Sequence, residues 1–549
     1  MKALIVDGYV DEPAAFGVPP YISPYVRYLA GALVLHSVEV DYTTIDELRK
    51  RRDWSFVDGY DFLFVFAGVT VPGRYKGGTP ISPEEIERIF SISKRPLKVL
   101  GGPITRGYSS RGGSVAKRLA FEKADYVVTG DVEAFIFSYF RGDPKPEAKS
   151  DYELIDLVAP AGAVIVRKHP RFPYVICEME LSRGCERKTF CTFCTEPILH
   201  GRLRSRRVDA VIKELEMLYR EGCRAFRFGR AANILAYGSD FNGGKPSPQI
   251  IEELYSGARS VAPELEVLHT DNANPAYLVE HERECRQIVE TMVKYNTPGD
   301  VFSFGIESFD ERVLKRNNIQ GSPEVFMKAI ELVNEIGGRR EGGIPKLLPG
   351  VNLVFGLPGE DEETFEKDFN YLKRILDTGL LLRRINIRRL LVFPGTPVYH
   401  YFQTHKFKLR GDLHEKWKER IRKEIDHEML KRVFPAGTVF RKVIPEYREG
   451  KITFGRQLGS YPILVGIPGD YREPLDVVVV DHGERSLTAV PYPPSINKMT
   501  LEELTAIPGI GDALARRIIL SRPFRKLEDL ENLLPASTFE FLKSLGIAL

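Results

Sequence analysis

Cysteine is scarce in this chain, which has 6 cysteines in 549 residues. So few thiols argue against a disulfide framework and favour a reducing compartment, so we expect a cytoplasmic protein. Long hydrophobic runs are also missing: none reaches the roughly 18 residues that a membrane-spanning helix needs, and we expect no membrane contact. The first residues, Met1 to Gly8, predict a strand and a turn rather than a signal peptide.

A strong net charge is absent as well, because 78 Lys and Arg against 75 Asp and Glu leave +3. Any affinity for nucleic acid must therefore come from local basic patches. Hydrophobic residues make up 43% and charged residues 28%, which is typical of a globular protein with a charged surface. The length predicts roughly three or four domains.

Three of the cysteines, Cys185, Cys191 and Cys194, lie close together in the sequence. Thiols are soft ligands, and three of them favour one iron–sulfur or zinc site. A structural zinc site needs a fourth ligand, usually in a second close pair, and only His200 follows the run. Three thiolates on a four-iron cluster leave one iron open for the amino and carboxylate groups of S-adenosylmethionine. The two interpretations are therefore a cluster of that kind and a zinc knuckle with His200.

The run resembles the cluster loop of the radical S-adenosylmethionine (SAM) superfamily. The aromatic Phe193 before the third cysteine matches that family, and the resemblance implies that its backbone meets adenine. The first gap departs from the pattern, because five residues separate Cys185 from Cys191 where the family usually has three. The resemblance implies a [4Fe–4S] cluster on Cys185, Cys191 and Cys194, S-adenosyl-L-methionine, and an electron donor such as ferredoxin or flavodoxin.

Residues 174–405 continue this resemblance, since strands and helices alternate and predict a partial (β/α)6 TIM barrel. Chemistry in such barrels lies at the carboxyl ends of the strands. The predicted strands with their turns are 174–182, 224–229, 266–272, 303–308, 350–360 and 386–398. The resemblance assigns cofactor contacts to Phe193, Phe228, Gly229, Arg230, Glu307, Ser308, Asn352, Gly356 and Phe393. The segment 202–207, which is rich in arginine, meets substrate phosphates in one interpretation and is a solvated helix start in the other.

Residues 1–150 predict a Rossmann-like, doubly wound α/β domain, and 151–173 a connector. This domain resembles the cobalamin-binding type that precedes many radical enzymes. The cobalt-ligating signature requires a histidine two residues after an aspartate, and the first loop, Asp7 to Glu12, has none. We therefore expect no cobalamin. Methylthiotransferases have a similar layout but carry three cysteines here for a second cluster, whereas this region has no cysteine.

The last third of the chain predicts a charged helical linker at 406–435 and a small β-barrel at 436–492. This β domain weakly resembles the TRAM or OB-like modules of tRNA-modifying radical enzymes. Its RNA-facing candidates are Arg441, Lys442, Arg456 and Tyr461, and the alternative is a structural cap on the TIM barrel.

Residues 496–549 resemble a helix-hairpin-helix. Gly509 and Gly511 place backbone amides at a helix start, which suits a phosphate oxygen. Arg516, Arg517, Arg522 and Arg525 supply charge for sequence-independent phosphate contact. Such hairpins also serve as protein-contact modules, so both interpretations stay open.

The whole layout is α/β and resembles an archaeal family of radical SAM enzymes that end in a helix-hairpin-helix. That resemblance implies a 5′-deoxyadenosyl radical used to modify a nucleic acid, with tRNA favoured over DNA. One alternative is a radical SAM methyl- or methylthio-transfer enzyme acting on another substrate. The other is a nucleic-acid-binding protein with a structural or redox Fe–S cluster. The sequence singles out no catalytic residue.

Overall fold

The computed structural model describes residues 1–10, 17–68, 77–405 and 410–549. Its amino-terminal part is a parallel sheet with strand order β3-β1-β4-β5-β7 and helices on its faces. Asp11 and Glu12 of the predicted first loop lie outside the described residues. The elements are β1 (Lys2–Asp7), β2 (Tyr21–Ile22), α1 (Pro24–Leu35), β3 (Glu39–Thr44), α2 (Ile45–Arg49), β4 (Phe62–Phe66), α3 (Pro83–Ile92), β5 (Leu97–Gly101), β6 (Ser114–Val115), β7 (Tyr126–Val127) and α4 (Val132–Phe140).

The middle of the chain alternates strands with helices, as its pattern predicts. The strands β2, β8, β11 and β12 form one run of parallel neighbours, and β13, β14, β17 and β18 form the next. The elements are α5 (Tyr152–Ala161), β8 (Ile176–Glu180), β9 (Ser182–Arg183), α6 (Glu196–His200), β10 (Arg204–Ser205), α7 (Val208–Arg220), β11 (Ala225–Arg230), α8 (Pro248–Val261), β12 (Val267–His269), β13 (Asn272–Ala273), α9 (Pro275–Glu280), α10 (Glu282–Tyr295), β14 (Asp300–Glu307), α11 (Glu311–Arg316), α12 (Pro323–Gly337), β15 (Arg340–Glu341), β16 (Ile344–Pro345), β17 (Leu347–Phe355), α13 (Glu362–Asp377), β18 (Arg384–Arg389), β19 (Leu391–Val392) and α14 (Pro397–Thr404).

The helices on the outside of this barrel are amphipathic, and their apolar faces pack on the strands. In α7, Val211, Leu215 and Leu218 are fully buried at helical spacing, while Lys213 between them is exposed. No helix in the described part of the chain is both long and apolar enough to cross a bilayer.

The carboxyl-terminal part begins with helices and continues as a closed β-barrel of order β20-β21-β22-β24-β23. The first residues of the predicted linker, 406–409, lie outside the described residues. The elements are α15 (Gly411–Ile421), a π-helical turn (Arg422–Asp426), α16 (His427–Val433), β20 (Val439–Glu449), β21 (Ile452–Arg456), β22 (Leu464–Pro468), β23 (Leu475–His482), β24 (Ser486–Pro491), α17 (Leu501–Thr505), α18 (Asp512–Leu520), α19 (Leu527–Glu531) and α20 (Ala536–Ser544).

A loop of this small β-barrel, residues 458–461 between β21 and β22, enters the amino-terminal end of the larger barrel. We call it the plug loop. Leu458 and Tyr461 pack against the first residues of the larger barrel's strands, such as Ile176 and Ala225. The Tyr461 hydroxyl donates to Asp271 Oδ1 at 2.8 Å. The prediction that Tyr461 faces RNA is therefore wrong, because its side chain points into the barrel.

The other predicted RNA-facing residues of the small barrel also make contacts within the chain. Arg441 pairs with Asp476 at 2.6 Å, and Arg456 pairs with Glu446 at 3.3 Å. Lys442 pairs with Glu266, just before β12, at 2.5 Å. The Lys442–Glu266 pair joins the two barrels and supports the alternative in which the small barrel caps the larger one.

The amino-terminal sheet domain is joined to the barrel through buried charge. Arg27 of α1 and Arg206 both donate to the Glu214 carboxylate, at 2.8 and 2.7 Å, and all three side chains are fully buried. Arg206 belongs to the arginine-rich segment 202–207. It is therefore neither solvated nor free for a substrate phosphate, because it holds the two domains together.

Candidate functional site

The three clustered cysteines lie on the loop that leaves the first barrel strand. Backbone bonds shape this loop: Cys185 N donates to Gly201 O at 3.2 Å, and Cys194 N donates to Cys191 O at 3.3 Å. All three are free, partly buried thiols. Burial raises the pKa of Cys185 to about 12 and raises the pKa of Cys194, where the charges of Cys191 and Cys185 add to the effect. The three thiols therefore lie close enough to influence one another.

The donor set fits a four-iron cluster better than a single zinc ion. Within the described ranges, no group of three or more His, Cys, Asp and Glu side chains is placed to hold one metal ion. A tetrahedral zinc site needs such convergence, whereas the thiolates of a cluster bind different irons. His200, the proposed fourth zinc ligand, is partly buried, and desolvation lowers its pKa, with a further contribution from the charges of Arg230 and Arg183. A nearby iron cation would stabilise the thiolates that burial disfavours.

Residues of the long first gap fasten this loop to the barrel. Arg187 Nη1 donates to Cys191 Sγ at 2.7 Å, and its other nitrogen donates to the Asn318 carbonyl. Glu186 Oε1 accepts from Asn233 Nδ2 at 2.9 Å and from Asn274 Nδ2 at 3.1 Å. Because these asparagines follow β11 and β13, the gap ties the cysteine loop to two further strand ends.

Asn317 is a second anchor, and sequence reasoning missed it. Thr192, next to Cys191, donates from its backbone and its hydroxyl to Asn317 at 3.1 and 2.9 Å. Asn317 Nδ2 in turn donates to Pro358 O at 2.9 Å. Val398 N donates to Thr192 O at 3.0 Å, which adds the segment after β18. A lone asparagine after a helix gives no sequence signal for such a role.

Glu307 stands at the end of β14, where the resemblance places a cofactor carboxylate. Its φ of +65° lies in the left-handed region, and the pairing with β17 shifts register between Gly305 and Glu307. Such strain in a non-glycine residue concentrates at functional sites. Burial raises the pKa of Glu307 to about 7, an effect that Arg388 opposes. The Glu307 charge also reaches Cys191, where it helps to raise the thiol pKa.

A chain of hydrogen-bonded polar side chains runs from this end of the barrel into its interior. Asn352 Oδ1 accepts from Asn386 Nδ2 at 3.0 Å, and Asn386 Oδ1 accepts from Arg384 Nη2 at 3.2 Å. The Arg384 guanidinium lies 3.7 Å from the centre of the Tyr461 ring, in the plug loop. Sequence reasoning named Asn352 but missed Asn386, Arg384 and Arg388.

Among the predicted cofactor contacts, the side chains of Phe228 and Ser308 point away from the site, whereas Arg230 contacts the end of the cysteine loop. Phe228 is buried against Tyr255 of α8, with ring centres 5.3 Å apart, so it faces away from the barrel interior. Ser308 donates to Asp368 Oδ1 of α13 at 3.0 Å. Arg230 is fully buried and pairs with Glu196 at 3.2 Å.

Gly229 does face the interior, but charged side chains already fill the space beside it. A Cβ there would lie 2.0 Å from Glu178 Oε1 and 2.3 Å from Arg227 Nη1. The glycine is therefore required by packing.

The remaining predictions lie at the cluster end of the barrel. Phe193 packs partly buried beside Cys191 and Cys194. Gly356 has φ +102°, and its amide donates to Glu360 Oε2 at 2.8 Å. Phe393 is buried against the amino-terminal domain, since a Cβ on Gly107 would lie 2.9 Å from its ring.

Comparisons with known proteins agree with this geometry. The family model described as "Radical SAM superfamily" matches residues 179–372. An uncharacterised protein of Methanocaldococcus jannaschii is 43% identical over 505 residues, which cover 89% of this chain and 92% of that protein.

More distant relatives have named activities. A tRNA-2-methylthio-N(6)-dimethylallyladenosine synthase of Malacoplasma penetrans is 29% identical over 192 residues, 35% of each chain. A ribosomal protein uS12 methylthiotransferase of Thermotoga petrophila is 24% identical over 360 residues, 62% of this chain and 74% of that one. Among solved structures, a radical SAM methyltransferase from Kitasatospora setae with cobalamin and a [4Fe–4S] cluster bound is 15% identical, with a TM-score of 0.46 over 72% of this chain and 73% of that one.

The cysteine loop, the strained carboxylate at the strand end and the family match together identify the chemistry. A [4Fe–4S] cluster and S-adenosylmethionine are the cofactors of that chemistry, and the residues at this end of the barrel fit them. The chain belongs to the radical SAM superfamily and is an enzyme of that class.

Proposed function

We propose that this enzyme modifies a nucleic acid, with tRNA as the favoured substrate. When the cofactors are bound, the cluster supplies an electron that cleaves S-adenosylmethionine into methionine and a 5′-deoxyadenosyl radical. The protein provides an interior shielded from water, in which that radical can take a hydrogen atom from the substrate. Of the two carboxyl-terminal modules, the helix-hairpin-helix supports a nucleic-acid substrate.

The observation that carries the proposal is the hairpin before α18. Gly509 has φ +87°, and Gly511 begins the helix with open space at its Cα. Within the described residues no side chain caps the first amides of α18, so these amides are available to a phosphate oxygen. A depression of about 450 Å³ lies over residues 505–511.

The arginines around the hairpin differ in their availability. Arg517 and Arg525 are exposed, and Arg516 is exposed while pairing with Asp512 at 2.8 Å. Arg522 instead donates to Met499 O at 2.6 Å, so we assign it a structural role. Asp481 also lines the depression and weakens its attraction for anions, which the exposed arginines of α18 offset.

The second candidate function is methyl- or methylthio-transfer, which the names of the distant relatives favour. A methylthiotransferase-like second cluster would need ligands in the amino-terminal domain, and residues 1–150 contain no cysteine. The absence of cobalamin stays a prediction. Adding hydroxocobalamin to the anaerobic protein tests it, because retention of the corrin spectrum through gel filtration would contradict it.

The deciding experiment uses protein reconstituted with iron and sulfide without oxygen, and tRNA from cells that lack this enzyme. Dithionite, or a ferredoxin or flavodoxin as the proposed natural donor, supplies electrons. The expected result is release of 5′-deoxyadenosine that tRNA stimulates, together with a new nucleoside mass. Slow release that is indifferent to tRNA would keep the radical chemistry and reject the nucleic-acid substrate.

A further inference from the structure

One of the segments through which the amino-terminal domain reaches the cluster end of the barrel is residues 107–118. Its strand β6 pairs in parallel with β19, so that Leu391 lies opposite Ser114 and Val392 opposite Val115. Ala116 N donates to Val392 O at 2.9 Å. The segment therefore extends the edge of the barrel beyond the last strand, and its position is fixed by backbone bonds.

A cleft of about 520 Å³ opens between this segment and the start of α14. Its lining is formed by Val115, Ala116, Lys117 and Arg118 on one side. On the other side it is formed by Pro394, Gly395, Tyr399 and His400. A volume of this size suits a nucleotide-sized group rather than a single small ion.

The charge in the cleft has one sign. Lys117 and Arg118 are exposed, and within the described ranges neither makes an ion pair. The backbone of Lys117 both donates to Tyr108 O and accepts from Tyr108 N, each at 2.9 Å. These two hydrogen bonds fix the position of the lysine backbone in the cleft. Two neighbouring cations without ion-pair partners in the described part of the chain, Lys117 and Arg118, lie beside the Tyr399 ring. This combination suits an anion that has a flat face.

The cleft also lies next to the cysteine loop. Val398, between the cleft residues Gly395 and Tyr399, donates its amide to Thr192 O at 3.0 Å. Thr192 lies between Cys191 and Cys194. A strand bound in the cleft would therefore pass the cluster end of the barrel, where the radical forms.

We propose that this cleft binds the phosphate backbone and one base of an RNA strand beside the active site. Lys117 and Arg118 contact phosphates, and the Tyr399 ring with Val115 offers a face for base stacking. The inference rests on the proposed nucleic-acid substrate and adds the route by which that substrate reaches the barrel. The carboxyl-terminal hairpin would then hold a more distant part of the same RNA.

The test is tRNA binding to the reconstituted enzyme at several salt concentrations. The variant K117Q/R118Q removes the cleft charges, and K213Q/K423Q removes two exposed charges on other surfaces as a matched control. The expected result is a loss of tRNA affinity of about tenfold for the cleft variant only. Its slope of log affinity against log salt should fall by about 1.4, since each single-strand phosphate contact contributes about 0.7. Cluster absorbance per chain and the unfolding midpoint confirm that both variants fold.

Each other outcome overturns the proposal in a different way. If the wild type neither binds tRNA nor responds to it, the proposed substrate fails and the cleft proposal fails with it. If tRNA stimulates the wild type but the cleft variant keeps both affinity and salt slope, the substrate stands and the cleft is rejected. A third arm uses 5′-AMP: binding of 5′-AMP that the cleft variant loses, with tRNA binding unchanged, would make this a mononucleotide site.

Discussion

The two ends of the barrel are built in opposite ways. At the carboxyl end, Glu307 and Gly356 have left-handed backbone, the cysteines are only partly buried, and loops from several strands meet. At the amino end, Glu178, Arg227 and Asp271 are fully buried and paired with one another. Polar groups alone therefore do not mark the active end. What distinguishes it is incomplete burial, because strained backbone occurs at both ends: Tyr461 of the plug loop has φ +49°.

The small β-barrel contributes to the difference between the two ends, because its plug loop contacts polar groups at the amino end. Ser460 N donates to His269 Nδ1 at 2.8 Å, and Ser460 Oγ donates to Thr270 O at 3.1 Å. The plug loop thus supplies partners to polar groups of the larger barrel that would otherwise lack them. The plug loop closes one end of the barrel, whereas the cysteine loop lies at the other end.

The largest expected effect comes from the cluster end. C191A should abolish release of 5′-deoxyadenosine and lower bound iron, because a cluster held by two thiolates is not retained. C285A, which changes a buried cysteine on α10, should keep the iron. For both variants, bound iron per chain and released 5′-deoxyadenosine are measured after anaerobic reconstitution. Full activity in C191A would remove this cysteine from the site.

At the other end the expected effect is on stability. R227M leaves the Glu178 and Asp271 carboxylates buried without their cation, which should cost about 3–5 kcal/mol of unfolding free energy. R286Q breaks an exposed pair with Glu335 and should cost at most about 1 kcal/mol. Denaturant unfolding gives the free energy of unfolding of each variant. An equal loss of unfolding free energy in R227M and R286Q would contradict the buried network.

The plug loop predicts a smaller loss. Y461F removes one hydrogen bond to the buried Asp271 carboxylate, which Ser303 and Arg227 still contact, and should cost about 1 kcal/mol. Y219F removes a hydroxyl that lies 3.4 Å from exposed Glu264 and should be close to neutral. If the thermal unfolding midpoint of Y461F were no lower than that of Y219F, the described contact between the plug loop and Asp271 would be contradicted.

The last prediction concerns pH. Burial raises the pKa of Asp368 to about 8, although bonds from Phe309 and Ser308 oppose this. The folded state therefore binds a proton that the unfolded state releases near pH 4, so this group's stability contribution falls as pH rises toward 8. D368N keeps the accepting oxygen and should flatten the slope of unfolding free energy between pH 5 and 8, by up to about 1.4 kcal/mol per pH unit. An unchanged slope in D368N would show that another group titrates.

Sequence patterns predicted much of this arrangement where local rules apply. Because strand residues alternate between faces, Arg384, Asn386 and Arg388 of β18 share the interior face, and this could have been read from the sequence. The rule does not extend to Glu307 and Ser308, because the register shifts after Gly305 and Ser308 lies beyond the strand. The plug loop could not be predicted, since Tyr461 and Asp271 are 190 residues apart and neither lies in a motif.

The most direct test of the contrast compares E307Q with Y461F in the same assay. Release of 5′-deoxyadenosine is measured over a range of S-adenosylmethionine concentrations with reconstituted enzyme. The account predicts that E307Q raises the KM for S-adenosylmethionine at least severalfold, while Y461F leaves it unchanged at a temperature where both are folded. A raised KM in Y461F with a normal KM in E307Q would contradict it, and would place the cofactor at the end that the plug loop closes.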